Sequence, residues 1–338
     1  MCNEVYAVNI ITDTDLIRYF TRFDADDGFL VLQGKKKILF VDSRYYYAAK
    51  SKADSECELL NENSLSAFIK DNQIKSVGIV YEFTTASFLN RLNSLGVEVY
   101  DCSEYIYNLT SVKTDSEIEI IKKSCAIAEK SFYQLLPFIK EGVSEKQLKA
   151  ELEYLMAKNG ADKPSFDTII AFGENSAIPH HKTSNATLKN NQAVLIDFGC
   201  MYCGYASDMT RTLFFGTPTE EFNKVYNAVK TAHLTAFNKI TSGITGKVAD
   251  GFAREVLDGY GYKEYFTHSL GHGIGVKIHE SPRLSVKSEY VLKDGNVFSI
   301  EPGVYLNGKF GVRIEDTVAL INGKCVSMMT SDKNPIII

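Results

Sequence analysis

No window of this chain approaches the roughly 18 uninterrupted apolar residues that a membrane-crossing helix needs, so a membrane protein is not expected. Nor is there a long run of one charge sign. The 42 acidic and 37 basic side chains are interspersed and leave a formal charge of -5, which argues against a nucleic-acid partner. Cysteine is sparse: seven residues, odd in number and scattered from Cys2 to Cys325, do not make a disulfide framework, and reduced thiols are the expectation. Low-complexity sequence and short-period repeats are missing too. The opening from Met1 to Asp13 carries Glu4 and Asp13 where a secretory signal would need a basic end and an apolar stretch, so the expected location is cytoplasmic. What remains is an ordinary globular composition, 45% hydrophobic and 23% charged, which excludes disorder, collagen and coiled coil.

At about 100 to 200 residues per domain, the length implies two domains. Short apolar runs at Phe29 to Gln33, Lys37 to Val41, Ser76 to Val80 and Val97 to Tyr100 alternate with helical spacing at Leu65 to Lys70 and Thr84 to Leu95, the pattern of an α/β layer domain. The pattern changes near Leu109 to Lys113. There, Thr114 and Glu117 form a capping box that opens a long helix ending at Pro137, and Ser144 with Gln147 opens a second that ends near Gly160. The expected domains are therefore 1–111 and 112–338. In the second, strands are expected at Thr168 to Phe172, Ala193 to Phe198 and Ser207 to Phe215, and helices at Glu220 to Ile240 and Val248 to Leu257. Gly-rich β structure is expected over the last 70 or so residues.

The chemistry concentrates in acidic residues set in apolar strands. In Leu195-Ile196-Asp197-Phe198-Gly199 and Ser207-Asp208-Met209-Thr210-Arg211-Thr212, a hairpin turning near Tyr202 to Gly204 places Asp197 and Asp208 opposite each other on one face. Two buried like charges in that position destabilise a sheet, and a cation between them removes the conflict. Turn capping is the competing reading of each aspartate. Glu301 follows the apolar run Val297 to Ile300 and precedes Pro302, and Glu315 alternates with Arg313 and Thr317 on one strand face. An exposed strand end and a salt-bridged face are their ordinary alternatives. His272 stands among glycines in Gly271-His272-Gly273-Ile274-Gly275, where it also fits a simple turn. Four carboxylates and one neutral imidazole carry a charge of -4, which two divalent ions neutralise, and so oxygen-rich a set suits Mn, Co, Fe or Zn in a paired site that activates water.

Taken together, these motifs resemble the metallopeptidase family of methionine aminopeptidases, aminopeptidases P and prolidases, whose catalytic domain has the pita-bread fold. Asp-Phe-Gly, Ser-Asp-Met-Thr-Arg-Thr, Gly-His-Gly-Ile-Gly, Glu-Pro-Gly and Arg-Ile-Glu-Asp occur in the family's order over about residues 111 to 330. The resemblance implies Asp197, Asp208, His272, Glu301 and Glu315 as ligands of two divalent metals, with Mn placed first. Asp13 to Phe29 and Asp42-Ser43-Arg44-Tyr45 resemble the creatinase-type N-terminal α/β domain of aminopeptidases P and prolidases. The family also implies Glu301 as the catalytic proton carrier and His268 and His279 as catalytic groups steadying the oxyanion or the departing nitrogen. It implies a substrate-pocket histidine at His180, with adjacent His181 as the alternative, supporting residues Tyr305 and Arg313, and a homodimer.

The expected substrate is a peptide with proline in second position. Proline lacks an N–H, so its recognition rests on pocket shape. An aminopeptidase P-like activity is placed first. The alternative is a Xaa-Pro dipeptidase, in which Arg283, within His279-Glu280-Ser281-Pro282-Arg283, would grip the free carboxylate of a dipeptide. A non-catalytic pita-bread binding protein and a creatinase-like hydrolase are less favoured, since all five ligand positions are filled. Other motifs fail. Gly303 to Lys309 matches a P-loop except that Phe310 replaces the Ser or Thr, and His279-Glu280-Ser281-Pro282-Arg283 lacks a zincin's second histidine. The glycines at 271, 273 and 275 lack dinucleotide-binding spacing, and Cys200 and Cys203 read as part of a hairpin turn rather than a redox or zinc site.

Overall fold

The structure, a computed structural model, describes residues 8–338, so Cys2 and Glu4 lie outside the described residues. It divides into two compact units, one through Leu109 and one from Thr110 to Ile338. Among the described residues no helix is long and apolar enough to cross a membrane.

In the first unit, strands Val8–Ile11, Phe29–Gln33 and Lys36–Val41 form an antiparallel meander. Glu56–Leu59 joins Lys36–Val41 in parallel, and Ser76–Ile79 and Glu98–Asp101 extend the other edge in parallel. Alternation sends Phe29 and Val31 into one apolar cluster with Leu65, Phe68 and Leu92. Leu30 and Leu32 enter another with Leu16, Ile17 and Ile106. Both faces are covered, which is why these strands read as continuous apolar runs.

The second unit begins with the two capping boxes. The Thr114 hydroxyl accepts from the Glu117 amide at 3.4 Å while the Glu117 carboxylate accepts from the Thr114 amide at 2.8 Å, opening helix Asp115–Leu135. Ser144 and Gln147 repeat the exchange at 3.2 and 2.8 Å, opening helix Glu145–Lys158. The main sheet runs Glu280–Leu284, Gly271–Gly273, Val297–Ile300, Glu315–Ile321, Met209–Phe215, Gln192–Phe198, Ile169–Phe172. Helices Glu220–Lys239 and Gly246–Gly259 share an apolar core with that sheet through Val225, Val229, Ala249, Ala253, Phe298 and Val318. Gly271 has no room for a side chain, since a Cβ there would meet the Ser299 carbonyl oxygen at 1.9 Å.

The hairpin holding the two aspartates differs from the sequence expectation by two residues. Its turn is Cys203-Gly204, both at positive φ (47° and 82°), so Tyr202 pairs with Tyr205 and Asp197 pairs with Thr210. A shift of two preserves side-chain parity: Asp208 lies one step along the face from Thr210 instead of directly opposite Asp197.

Candidate metal centre and active site

Strand register assembles the site. Thr210 pairs with Asp197 on one side and with Glu315 on the other, so the central strand sits between two acids. Glu301 follows Val297–Ile300, whose neighbour Gly271–Gly273 carries His272. The five side chains line one cavity of about 450 Å³. Its inner wall holds Asp208, His272 and Glu315, all buried, with one ligand-type atom from each lying within 4.8 Å of the others. His180, His279 and Arg283 are exposed and line the same cavity.

Hydrogen bonds fix how these groups present themselves. His272 Nδ1 donates to the Gly273 carbonyl at 3.2 Å, which leaves the Nε2 lone pair facing Asp208 Oδ2 and Glu301 Oε1, each at 3.4 Å. Three lone-pair bearers converge there. Thr210 donates to Glu315 Oε2 at 2.6 Å, and Ser299 donates to Glu301 Oε1 at 3.1 Å. Arg313 donates to Asp197 Oδ2 at 2.5 Å, while Asp197 Oδ1 is buried without a hydrogen-bond partner.

Burial, followed by repulsion from Glu315, Asp197 and Glu301, pushes the Asp208 carboxyl well above its usual range. Burial and then Glu315 do the same to Glu301. Glu315 is pushed up to about 8 by burial and then Asp197. Burial lowers His272 to about 3, with His279 adding to it, so the imidazole is neutral and fit to ligate. A neutral imidazole, mutually repelling carboxylates and an orphaned carboxylate oxygen fit divalent cations, and oxygen ligands dominate the set.

Behind this wall the chemistry is different. Asp316 points to the other side of the strand from Glu315, where it meets Arg211 at 2.8 Å and Lys333 at 2.7 Å. Burial raises its carboxyl, but Arg211, His233 and Lys333 outweigh burial and hold it well below the ordinary range. His233 is buried here and lowered to about 4 by desolvation.

The histidines separate clearly. His180 lines the cavity, whereas His181 turns away and its Nε2 meets Glu145 at 2.9 Å. His268 lines the cavity with both ring nitrogens engaged. Nδ1 donates to the Ser269 carbonyl and Nε2 accepts from the Tyr305 hydroxyl, both at 2.8 Å, and Tyr305 in turn accepts from Arg313 at 2.8 Å. Burial, then Arg313, lowers His268 to about 3. The His279 ring lies edge-on to His272, with centroids 4.2 Å apart. Arg283 reaches the cavity because its strand pairs with the metal-site strand, residue for residue with His272. Phe166, Ile169, Pro179 and Ile278 complete an apolar wall that the motifs did not reveal. The nearest signal was Phe166 and Ile169 flanking the start of an expected strand.

Residues 119–322 match the family described as Metallopeptidase family M24, and residues 1–112 match the Creatinase/Prolidase N-terminal domain. The chain belongs to this metallopeptidase family and is an enzyme with a creatinase-type N-terminal domain and a pita-bread catalytic domain. A Xaa-Pro dipeptidase of Pyrococcus furiosus is 39% identical over 295 residues, covering 87% of this chain and 84% of the relative. The solved Xaa-Pro dipeptidase from Bacillus anthracis superimposes with a TM-score of 0.94 at 35% identity, covering 98% of this chain and 95% of that one. The X-Pro aminopeptidase from Thermotoga maritima MSB8 gives 0.93 at 33% identity, with 98% and 96% covered.

Proposed function

We propose that this enzyme is a Xaa-Pro dipeptidase, which reverses the sequence-based order that put an aminopeptidase P-like activity first. The names of the Pyrococcus and Bacillus anthracis proteins support the change. The observation that carries it is Arg283. Its strand is paired with that of His272, so an exposed guanidinium borders the cavity whose inner wall holds the acids. A dipeptide ends in a carboxylate just beyond its scissile bond, and a guanidinium fork matches a carboxylate in shape and charge.

Asp197, Asp208, His272, Glu301 and Glu315 would hold two divalent ions, with Mn favoured over Co, Zn or Fe. Bound there, such ions supply Lewis-acid polarisation of the peptide carbonyl and a lowered pKa for water. The protein's own groups do the rest. Glu301, steadied by Ser299, accepts the proton of the attacking water and delivers it to the proline nitrogen. His279 stabilises charge on the carbonyl oxygen. His268, Tyr305 and Arg313 form a hydrogen-bonded chain that fixes both the His268 ring and the Asp197 carboxylate. The apolar wall of Phe166, Ile169 and Ile278 accommodates a ring without an N–H.

The aminopeptidase reading has support in the Thermotoga structure. Arg283→Ala decides between them. On a Xaa-Pro dipeptide kcat/KM should fall about 10-fold to 100-fold, the worth of one charge-assisted contact, while a Xaa-Pro tripeptide changes little. If the wild-type enzyme cleaves both lengths comparably and the variant slows both alike, the aminopeptidase reading replaces this one.

A further inference from the structure

Glu145 opens helix Glu145–Lys158, where an acid ordinarily faces solvent and interacts with the helix dipole. Here its side chain is fully buried, at 0% exposure. Oε1 accepts from the Phe172 amide at 3.0 Å and from Asn175 Nδ2 at 2.8 Å. Oε2 accepts from the Ser184 amide at 2.8 Å, the Ser184 hydroxyl at 2.7 Å and His181 Nε2 at 2.9 Å. A single carboxylate thus ties together the two ends of the segment that leaves strand Ile169–Phe172, passes through the short helix Gly173–Ala177 and returns at Ser184. Between those anchors lie Pro179 and His180, which line the cavity. The His180 side chain is exposed, so close packing around the ring does not hold it. Its place depends on the backbone.

We propose that Glu145 is a positioning residue that sets His180 against the substrate by clamping both ends of the 172–184 segment, without itself reaching the cavity. The proposal rests on the reading of that cavity as the peptidase site. The acceptor geometry explains why a carboxylate is required. Glutamine would keep one oxygen for Phe172 and Asn175, but it would turn an NH2 group towards the Ser184 amide, two donors face to face. The Ser184 hydroxyl and His181 can turn to accept, whereas the amide cannot. One end of the segment is then released.

The test pairs Glu145→Gln with His180→Ala in the full-length, metal-loaded enzyme. Glu145→Gln should lower kcat/KM for a Xaa-Pro dipeptide roughly 10-fold, the scale expected for a displaced substrate contact, with metal content unchanged. In the His180→Ala background the same substitution should cost less than about 2-fold, because the group it positions is already gone. Equal losses in both backgrounds would overturn the proposal, as would a His180→Ala enzyme as active as wild type. Hydrogen exchange provides a readout independent of catalysis. Amides in the 172–184 segment should exchange faster in Glu145→Gln while those of helix Glu220–Lys239 do not, and unchanged exchange in the segment would overturn the clamp. Were the wild-type protein inactive on Xaa-Pro peptides, the functional reading would fall, and the exchange comparison would still decide whether Glu145 holds the segment.

Discussion

Replacing Lys113 with methionine should destabilise the catalytic unit by an amount the structure allows to be worked out. The Lys113 ammonium forms an ion pair with Glu280, their side chains being only 2% and 8% exposed. Lys113 also donates to the Ser111 carbonyl at 3.4 Å, and Glu280 accepts from the Lys277 amide at 3.3 Å. Methionine fills the volume but leaves a buried carboxylate without its cation, and breaking a buried pair from one side costs about 3 to 5 kcal/mol. For a unit of this size each kcal/mol corresponds to roughly 2 to 4 °C, so the melting temperature should drop by about 6 to 20 °C. Adding Glu280→Gln removes the stranded charge and should recover most of that loss, since the amide still accepts from Lys277. Thermal unfolding followed by circular dichroism, at one fixed Mn concentration for all proteins, measures both effects. Activity should fall in the single variant as well, because Glu280 follows His279 directly and opens strand Glu280–Leu284, which bears Arg283. A single variant melting within about 3 °C of wild type, or a double variant no better than the single, would refute the reasoning.

Stripping divalent ions with a chelator should lower the melting temperature, and more at about pH 8 than at about pH 5, because binding to the folded state alone stabilises it. The sign follows from Glu315, raised from 4.5 to about 8: a raised carboxyl contributes stability that is complete below its unfolded value and is lost as pH rises through its folded value, unless cations replace the proton. Melting curves at the two pH values with and without chelator check this, and a chelator effect equal at both would count against it. Glu301→Gln should abolish turnover with the fold retained, because the amide keeps the shape and loses the proton acceptor. Activity within tenfold of wild type in a metal-loaded variant would reject Glu301 as the base.

Structure is legible in the sequence where a short stretch determines its own conformation. The capping boxes at Thr114 and Ser144 each work through a residue three positions away, so they were legible, and the helices begin where expected. The aspartate hairpin was legible in its facing but not in its register. The turn is made by Cys203-Gly204, and a cysteine at positive φ carries little compositional signal. Strand Glu56–Leu59 was missed because it is a largely exposed edge strand with polar side chains, giving no apolar period to read. Helix Tyr46–Lys52 is equally hard to read, since it has no side-chain N-cap and buries only Ala49. Which of two adjacent histidines enters the cavity was beyond local reading, since the choice is made by Glu145, 36 residues before His181. The Lys113 to Glu280 pairing spans 167 residues and was equally invisible.

Strand Glu315–Ile321 acts as a partition between two kinds of counter-charge. Glu315 and Asp316 are chain neighbours, both acidic and both buried, yet one faces acids that repel it and the other faces Arg211 and Lys333, which are part of the chain. The first side sets four carboxylates, Asp197, Asp208, Glu301 and Glu315, around Arg313 and calls for further cations, whereas the second sets Arg211 and Lys333 against Asp316. Arg211 also donates to the Glu315 main-chain carbonyl at 2.6 Å, so the second side grips the backbone that carries the first. The strand is therefore anchored from one face by groups that take no part in the acid cluster on the other.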